Sequence, residues 1–161
     1  MPIIHLEIFI NADIEICFDL ARSIDLHQVT TARTKERAIA GRTKGLINLN
    51  ETVTWEATHF AIRQRLSSII SAMDRPNHFR DEQLKGPFQY IRHDHYFENI
   101  NGQVKMTDSF DFGSPYGLAG RLADRLILTS YLRGFLEKRN AMIKQIAESE
   151  LWKKYITDQS E

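Results

Sequence analysis

The sequence predicts an α+β fold in which a curved antiparallel sheet of six or seven strands wraps around a long C-terminal helix. Residues from Ser114 to about Ser149 show helical periodicity, and after Gly120 they contain no proline and one glycine. Several earlier segments alternate apolar and polar residues, which is typical of half-buried strands. An Asn101-Gly102 pair marks a tight hairpin between the last two strands. At 161 residues the chain is predicted to be one domain, residues 1–161.

The C-terminal helix is the predicted centre of the fold. Ser114 is predicted as its N-cap and Pro115 as its first helical residue. Its later half carries an apolar arc that consists of Leu128, Leu132, Phe135, Leu136, Met142, Ile143 and Ile146. In the first half the arc is rotated, and Arg121 and Arg125 lie near its edge. A helix this long needs a broad apolar partner, which the sheet supplies.

The elements before this helix follow from local patterns. Residues 3–10 are rich in β-branched side chains and predict a first strand. Asn11 is the predicted cap of a short helix, and Ser23 or Asp25 begins a second one. Residues 31–50 are ambiguous, with a short strand at 38–40 as one interpretation. The remaining predicted strands are 51–59, 62–73, 79–84, 88–99 and 103–112.

Composition narrows the class of protein. Lysine and arginine together number 21, as do aspartate and glutamate, so the net charge of zero argues against a nucleic-acid partner. Cys17 is the only cysteine, which excludes an intramolecular disulfide, and its apolar neighbours predict a buried, unreactive thiol. No apolar run approaches the length of a membrane span, and Glu7 and Asn11 interrupt any signal-peptide pattern. We therefore expect a soluble cytoplasmic protein, monomeric or homodimeric.

The hairpin fixes a register between the last two strands. If Asn101 and Gly102 form a two-residue turn, Ile100 faces Gln103 and His95 faces Asp108. The other pairs on that face are Phe97 with Met106, His93 with Phe110, and Ile91 with Phe112. This face is the more apolar one, so we expect it to look inward, toward the long helix.

Two histidines and an aspartate on an inward face need partners, because burying unpaired polar groups is costly. A cross-strand pair of His95 and Asp108 would satisfy both and raise the pKa of the histidine. Three interpretations stay open. The group is a satisfied polar patch in a cavity wall, or a site in which His93 or His95 anchors a carbonyl or phenol, or a metal site of His59, His93, His95 and Asp108. We expect no metal and no cofactor, because nothing else has ligand spacing comparable to the His93-x-His95 pair.

A set of short motifs resembles one superfamily over nearly the whole chain. They are Val53-Thr54-Trp55-Glu56-Ala57, His59-Phe60, Asp81-Glu82-Gln83, Gly86-Pro87-Phe88, His93-x-His95-x-Phe97, Met106-Thr107-Asp108 and Gly120-Arg121-Leu122-Ala123-Asp124. Together they are similar to the START-like superfamily, also called SRPBCC, Bet v 1-like or polyketide cyclase-like. The branch they resemble is a bacterial ligand-binding one, sometimes labelled cell division inhibitor. Ile91 stands where relatives often carry tryptophan, so the pocket mouth is expected to differ.

The resemblance implies the helix-grip fold and the binding of an apolar or amphipathic small molecule between sheet and helix. Our leading hypothesis is a soluble binding protein for a hydrophobic or aromatic molecule or a lipid. One alternative is a cofactor-independent cyclase, aromatase or dehydratase, with His95 as acid/base and Asp108 orienting it. A second is an interaction module without a ligand. The predicted ligand-binding residues are Trp55, Ala57, His59, Gln64, Leu66, Phe79, Ile91, His93, His95, Phe97, Met106, Asp108, Phe110, Arg121 and Arg125.

Overall fold

The computed structural model describes residues 3–113 and 127–156. Seven strands form one sheet in the order β1-β7-β6-β5-β4-β3-β2, and every neighbouring pair is antiparallel. The strands are β1 (Ile3–Ile10), β2 (Arg37–Gly41), β3 (Thr52–His59), β4 (Ile62–Asp74), β5 (His78–Lys85), β6 (Tyr90–Ile100) and β7 (Gln103–Gly113). The helices are α1 (Ile14–Ala21), α2 (Ile24–Thr30), α3 (Thr129–Ala147) and the single turn α4 (Lys153–Ile156). The predicted fold class is therefore confirmed.

Helix α3 is the described part of the predicted C-terminal helix. Leu136, Ile143 and Ile146 of the predicted apolar arc are buried. The helix ends at Ala147, and the Ser149 side chain caps the following 3-10 turn by accepting from the Leu151 N–H. The predicted N-cap at Ser114 lies outside the described residues. Among the helices of the described ranges, none is both long and apolar enough to cross a membrane.

Helices α1 and α2 close one end of the sheet, and their caps refine the sequence prediction. Asp13, not Asn11, caps α1, because its side chain accepts from the Glu15 N–H. The Asn11 N–H instead donates to Glu148 beyond α3. Ser23 caps α2 by accepting from the Leu26 N–H.

The only cysteine is buried, as predicted. Cys17 lies on α1 with no exposed surface. Burial, reinforced by the charge of Asp13, raises the pKa of its thiol to about 12. The thiol is therefore protonated at neutral pH and belongs to the core.

The predicted hairpin is confirmed in turn and register. Asn101 and Gly102 both have positive φ, 51° and 82°, as a two-residue turn of this kind requires. Ile100 pairs with Gln103, and His95 lies directly opposite Asp108. His95 and Asp108 are 1% and 0% exposed, which places them on the inner face.

The interior consists of two apolar clusters with polar residues between them. The first lies under α1 and α2 and includes Phe18, Phe97 and Met106. The second lies under the middle of α3 and consists of Ile4, Ile91, Phe110, Phe112 and Leu136. Along β7, Asp108 stands between Met106 of the first cluster and Phe110 of the second. Along β6, His93 and His95 stand between Ile91 and Phe97, so the polar residues lie at the boundary of the clusters.

Candidate functional site

A cavity of about 170 Å³ lies between the inner face of the sheet and helices α2 and α3. Eight of the predicted ligand-binding residues line it, namely Trp55, His59, Leu66, Phe79, Ile91, His93, His95 and Phe110. The volume is close to that of a cavity of about 150 Å³ that accepts benzene. It is therefore the right size for a single-ring molecule.

Other predicted residues do not line this cavity. Phe97 and Met106 belong to the packed core, because α1 covers them. Phe18 of α1 packs edge-on against Phe97, with 5.5 Å between the ring centroids. Asp108 is enclosed behind His93 and His95 and has no exposed surface. These three assignments to the cavity wall were wrong.

Four further predicted residues lie away from the cavity or outside the described ranges. Ala57 and Gln64 face each other across β3 and β4, and neither lines the cavity. Arg121 and Arg125 fall outside the described residues, so their predicted place at the rim stays a prediction.

The structure adds three polar residues that the sequence analysis missed. Asp81 of β5 and Arg139 of α3 both line the cavity, and Asn140 is buried beside Arg139. The signals were present in the sequence. Asp81 follows the inward Phe79 by two residues, which is the period of a strand. Arg139 and Asn140 follow Leu136 by three and four residues, which keeps them on the buried side of a helix.

Asp108 is the centre of a group that we call the inner cluster, which consists of Asp81, His93, His95, Asp108 and Asn140. His93 Nε2 lies 3.0 Å from Asp108 Oδ1, in hydrogen-bond geometry. The side-chain amide of Asn140 donates to Asp108 Oδ2. The carboxylate is therefore held from the neighbouring strand by an imidazole and from α3 by an amide.

Arg139 holds Asn140 in place from the other side. Its guanidinium donates to Asn140 Oδ1 at 3.2 Å and to the Ala21 carbonyl at 3.0 Å. The Asn140 amide group must therefore present its nitrogen to Asp108. This chain of contacts connects α1, α3 and β7 through polar atoms alone.

His95 makes its hydrogen bond to Asp81 instead of to the predicted partner. Its Nε2 lies 3.3 Å from Asp81 Oδ2 in hydrogen-bond geometry. Its Nδ1 lies 2.7 Å from Asp108 Oδ1 but makes no hydrogen bond there, because the oxygen is off the direction of the ring N–H. Stacking on Phe79, at 4.2 Å and 20°, fixes the plane of this ring. The predicted cross-strand pair of His95 and Asp108 is confirmed as a contact, and the histidine that hydrogen-bonds Asp108 is His93.

The inner cluster shifts the pKa values of its two histidines in opposite directions. Burial and the neighbouring His95 lower the pKa of His93. Burial also lowers the pKa of His95, but Asp108 and Asp81 outweigh it and raise that pKa above its usual value, as predicted. Burial raises the pKa of the Asp81 and Asp108 carboxyls, but the two histidines have the larger, opposite effect. The pKa of Asp81 is therefore lowered, and the pKa of Asp108 lies well below its usual range. The two histidines therefore differ in how readily they take up a proton, and both carboxyls are held toward their ionised form.

His59 belongs to a different part of the cavity. Its Nδ1 lies 2.7 Å from Tyr131 Oη, and its ring packs edge-on against Tyr131 and Phe135. Burial lowers its pKa. Among the described residues, the group that brings ligand atoms within 4.8 Å of one another consists of Asp81, His93 and His95. His59 and Asp108 are therefore not part of the convergent set, contrary to the metal interpretation of the sequence.

Comparisons with known proteins identify the fold. No protein-family model matches the sequence, and no curated protein matches it significantly. Among solved structures, TTHA0849 from Thermus thermophilus aligns with a TM-score of 0.72 and 14% identity, over 89% of this chain and 95% of that one. The ginseng major latex-like protein 151 from Panax ginseng gives a TM-score of 0.68 and 15% identity, over 92% and 98% of the two chains. Ara h 8.0201 gives 0.61 and 12%, over 88% and 97%.

These similarities establish the architecture. The chain has the Bet v 1-like helix-grip fold, as the resemblance of its motifs implied. Identities of 12% to 15% show the fold and leave the site to be argued from its own residues.

Proposed function

We propose that this protein binds a small aromatic molecule, about one ring in size, that carries a hydroxyl group. The observation that carries the proposal is the cavity between sheet and helix, which is walled by apolar side chains and meets the inner cluster at one side. Small-molecule sites generally combine apolar walls with a few placed polar groups.

The apolar walls suit a flat ring. Trp55, Phe88, Ile91, Phe110 and Phe135 all border the cavity. Aromatic side chains pack well against a ligand ring in offset or edge-on geometry. The volume of about 170 Å³ favours one ring over a lipid chain or a fused-ring system.

The polar side favours a hydroxyl over a carbonyl. His93 uses Nε2 to donate to Asp108, so in the neutral ring Nδ1 is an acceptor. Asp81 contributes carboxylate oxygens and keeps 28% of its side-chain surface exposed. His93 and Asp81 therefore offer acceptors to a cavity occupant, and these select a donor such as a phenol.

The catalytic alternative rests on the same cluster. His95 has a raised pKa and lies against both Asp81 and Asp108, which suits an acid/base residue. However, His95 is only 1% exposed and already donates to Asp81, so a bound molecule reaches Asp81 and His93 first. Binding without conversion is therefore the function that this geometry favours.

The test compares ligands that differ in one group. Calorimetric titration with p-cresol, toluene and benzoate, in the presence of a chelator, separates the contribution of the hydroxyl from that of the ring. We expect p-cresol to bind about ten times more tightly than toluene, which corresponds to the 1.4 kcal/mol of a hydrogen bond to a charged acceptor. Benzoate is expected to bind weakest, because its carboxylate meets that of Asp81.

Two variants locate the site. Asp81→Asn is expected to reduce the difference in affinity between p-cresol and toluene. Leu66→Trp is expected to abolish the binding of both compounds, because its larger side chain fills the cavity. Asp94→Asn, on the opposite face of β6, is the matched control and leaves all affinities unchanged. The proposal fails if none of the ligands binds, or if Leu66→Trp binds them as the wild type does. Native mass spectrometry of protein purified without detergent then identifies a resident ligand, and its conversion on incubation would favour the enzyme.

A further inference from the structure

We infer that Asp81, His93 and His95 form a binding site for one divalent transition-metal ion at the edge of the cavity. This inference goes beyond the proposed function and does not depend on it, because the ion needs no organic ligand in order to bind. The sequence predicted no metal, because nothing else in it has ligand spacing comparable to the His93-x-His95 pair. Asp81, which the sequence analysis missed, supplies that ligand from β5.

The first argument is the direction of the histidine nitrogens. His93 faces Asp108 with Nε2 at 3.0 Å and faces Asp81 with Nδ1 at 3.7 Å. His95 faces Asp108 with Nδ1 at 2.7 Å and faces Asp81 with Nε2 at 3.3 Å. Both rings therefore turn one nitrogen to the same buried carboxylate and the other toward Asp81. Metal-binding histidines are commonly oriented in this way, by a carboxylate that contacts the nitrogen not bound to the metal.

The second argument is spacing. For metal–ligand bonds of about 2.0–2.1 Å in tetrahedral geometry, neighbouring ligand atoms are about 3.3 Å apart. The distances from Asp81 Oδ2 to the two facing nitrogens are 3.3 and 3.7 Å, and one ligand atom from each of the three residues lies within 4.8 Å of the others. Small side-chain rotations are enough to bring three ligands to one ion.

The third argument is charge. Within the described residues, neither Asp81 nor Asp108 is in contact with an arginine or lysine side chain, and their ion-pair partners are His93 and His95 alone. Arg139 approaches the cluster but donates to Asn140 Oδ1 and a backbone carbonyl. When both imidazoles are neutral, as metal binding requires, the two carboxylates carry more negative charge than the nearby Arg139 offsets, so a divalent cation would be attracted to them.

The fourth argument is the open position. Asp81, His93 and His95 all line the cavity, so an ion among them would face it with its remaining coordination position. Three protein ligands with one open position are typical of sites where a metal contacts water or a small molecule. A nitrogen-nitrogen-oxygen ligand set suits zinc, iron or cobalt.

The experiment titrates the full chain, freed of metal with a chelator and dialysed, with Zn²⁺ and Co²⁺ alone. We expect one ion per chain, a rise in melting temperature, and Co²⁺ absorption bands strong enough to indicate four coordination positions. His93→Gln, His95→Gln and Asp81→Asn are each expected to lower the affinity at least tenfold. Asp108→Asn is expected to lower it 10- to 100-fold by releasing both rings. Asn140→Leu, which loses the amide contact to Asp108, serves if Asp108→Asn does not fold.

His78→Gln is the matched control, because His78 contacts Asp94 on the outer face of the same strands. It is expected to bind metal as the wild type does. Substoichiometric binding by the wild type, or wild-type affinity in Asp81→Asn, would overturn the inference. If p-cresol binds but Zn²⁺ does not, only the metal site is lost. If Zn²⁺ binds but p-cresol does not, only the proposed function is lost.

Discussion

Strands β5 and β6 place one aspartate–histidine cluster on the inner face of the sheet and another on the outer face. On the inner face they contribute Asp81, His93 and His95 to the inner cluster, which Asp108 of β7 and Asn140 of α3 complete. The outer pair of Asp94 and His78 lies on the same two strands, and Asp94 stands between the two inner histidines in the sequence. The residue types are the same, and only the alternation of the strands separates them.

The two faces differ in how the carboxylates are neutralised. On the outer face, Asp94 accepts two hydrogen bonds from the guanidinium of Arg80, at 2.8 and 3.0 Å, and lies 2.7 Å from His78 Nε2. The described contacts of the inner carboxylates include no such cation. The charge of Asp94 is thus neutralised by Arg80. The inner carboxylates are held by histidine and asparagine side chains, and the histidines can also bind a ligand or a metal ion.

The largest expected effect comes from removing the central carboxylate of each group. Asp108→Ala leaves His93 and Asn140 buried without their acceptor, so we expect a loss of about 3–5 kcal/mol in the free energy of unfolding. Asp94→Ala is expected to cost about 1–2 kcal/mol, because Arg80 can turn to water. Urea denaturation at neutral pH measures both. Equal losses would show that the different partners of Asp108 and Asp94 do not affect their contributions to stability.

A double-mutant cycle sharpens this comparison to single pairs. We expect a coupling free energy of about 1.5–3 kcal/mol between His93 and Asp108, which are both buried. For His78 and Asp94 we expect about 0.2–1 kcal/mol, since His78 keeps 22% of its side-chain surface exposed and Arg80 can compensate. His→Gln and Asp→Asn substitutions, alone and combined, complete each cycle. A larger coupling for the outer pair would contradict the assignment.

Local patterns were enough to predict the sheet and three of the five members of the inner cluster, namely His93, His95 and Asp108. The Asn101-Gly102 turn and the alternation that follows it placed His95 opposite Asp108, because a hairpin register needs only nearby residues. Asp81 was missed because β5 has no comparable turn to fix its register. Its position two residues after Phe79 was the available signal. Which of the inward residues border the cavity depends on packing between distant elements.

Local sequence patterns could not predict which inward residues are packed in the core and which border the cavity. Phe97 and Met106 are on the predicted face, yet α1 packs over them and removes them from the cavity. Asn140 completes the inner cluster from a helix that is distant in sequence, at a position where the apolar arc is interrupted by polar residues. A polar residue on the buried arc of a helix is therefore a signal to seek its partner on the sheet.

Glu56 gives a test of the outer face by acid titration. Its carboxylate is contacted by Arg37, Arg63 and Arg65, at 2.8, 2.6 and 3.0 Å. Hydrogen bonds from Arg37 and Arg65, with the charge of Arg63, lower its pKa to about 2. In the unfolded chain its pKa is about 4.3, so its contribution to stability is present above that pH and is lost as the pH falls to about 2.

We expect Glu56→Gln to flatten the decline in stability between about pH 4.5 and pH 2. Urea midpoints measured at intervals across this range give the slope for each variant. Because the three guanidiniums lie at the surface, high salt is expected to reduce the difference between the wild type and the variant. Glu7→Gln is the matched control, because among the described residues the ion-pair partner of Glu7 is Lys105 alone. If the variant loses stability with acid as steeply as the wild type does, the pKa of Glu56 is not lowered in the folded state.

The smallest expected effect is the loss of any one of these three arginines. Arg37, Arg63 and Arg65 keep 60%, 66% and 70% of their side-chain surface exposed, and each removal leaves two cations on Glu56. We therefore expect Arg37→Ala, Arg63→Ala and Arg65→Ala each to cost less than about 1 kcal/mol in the free energy of unfolding. Combining any two is expected to cost more than the sum of the single losses, because the second removal takes away the compensation. Strict additivity in urea denaturation would show that each arginine acts alone, and the outer face would then resemble the inner cluster, where no partner replaces another.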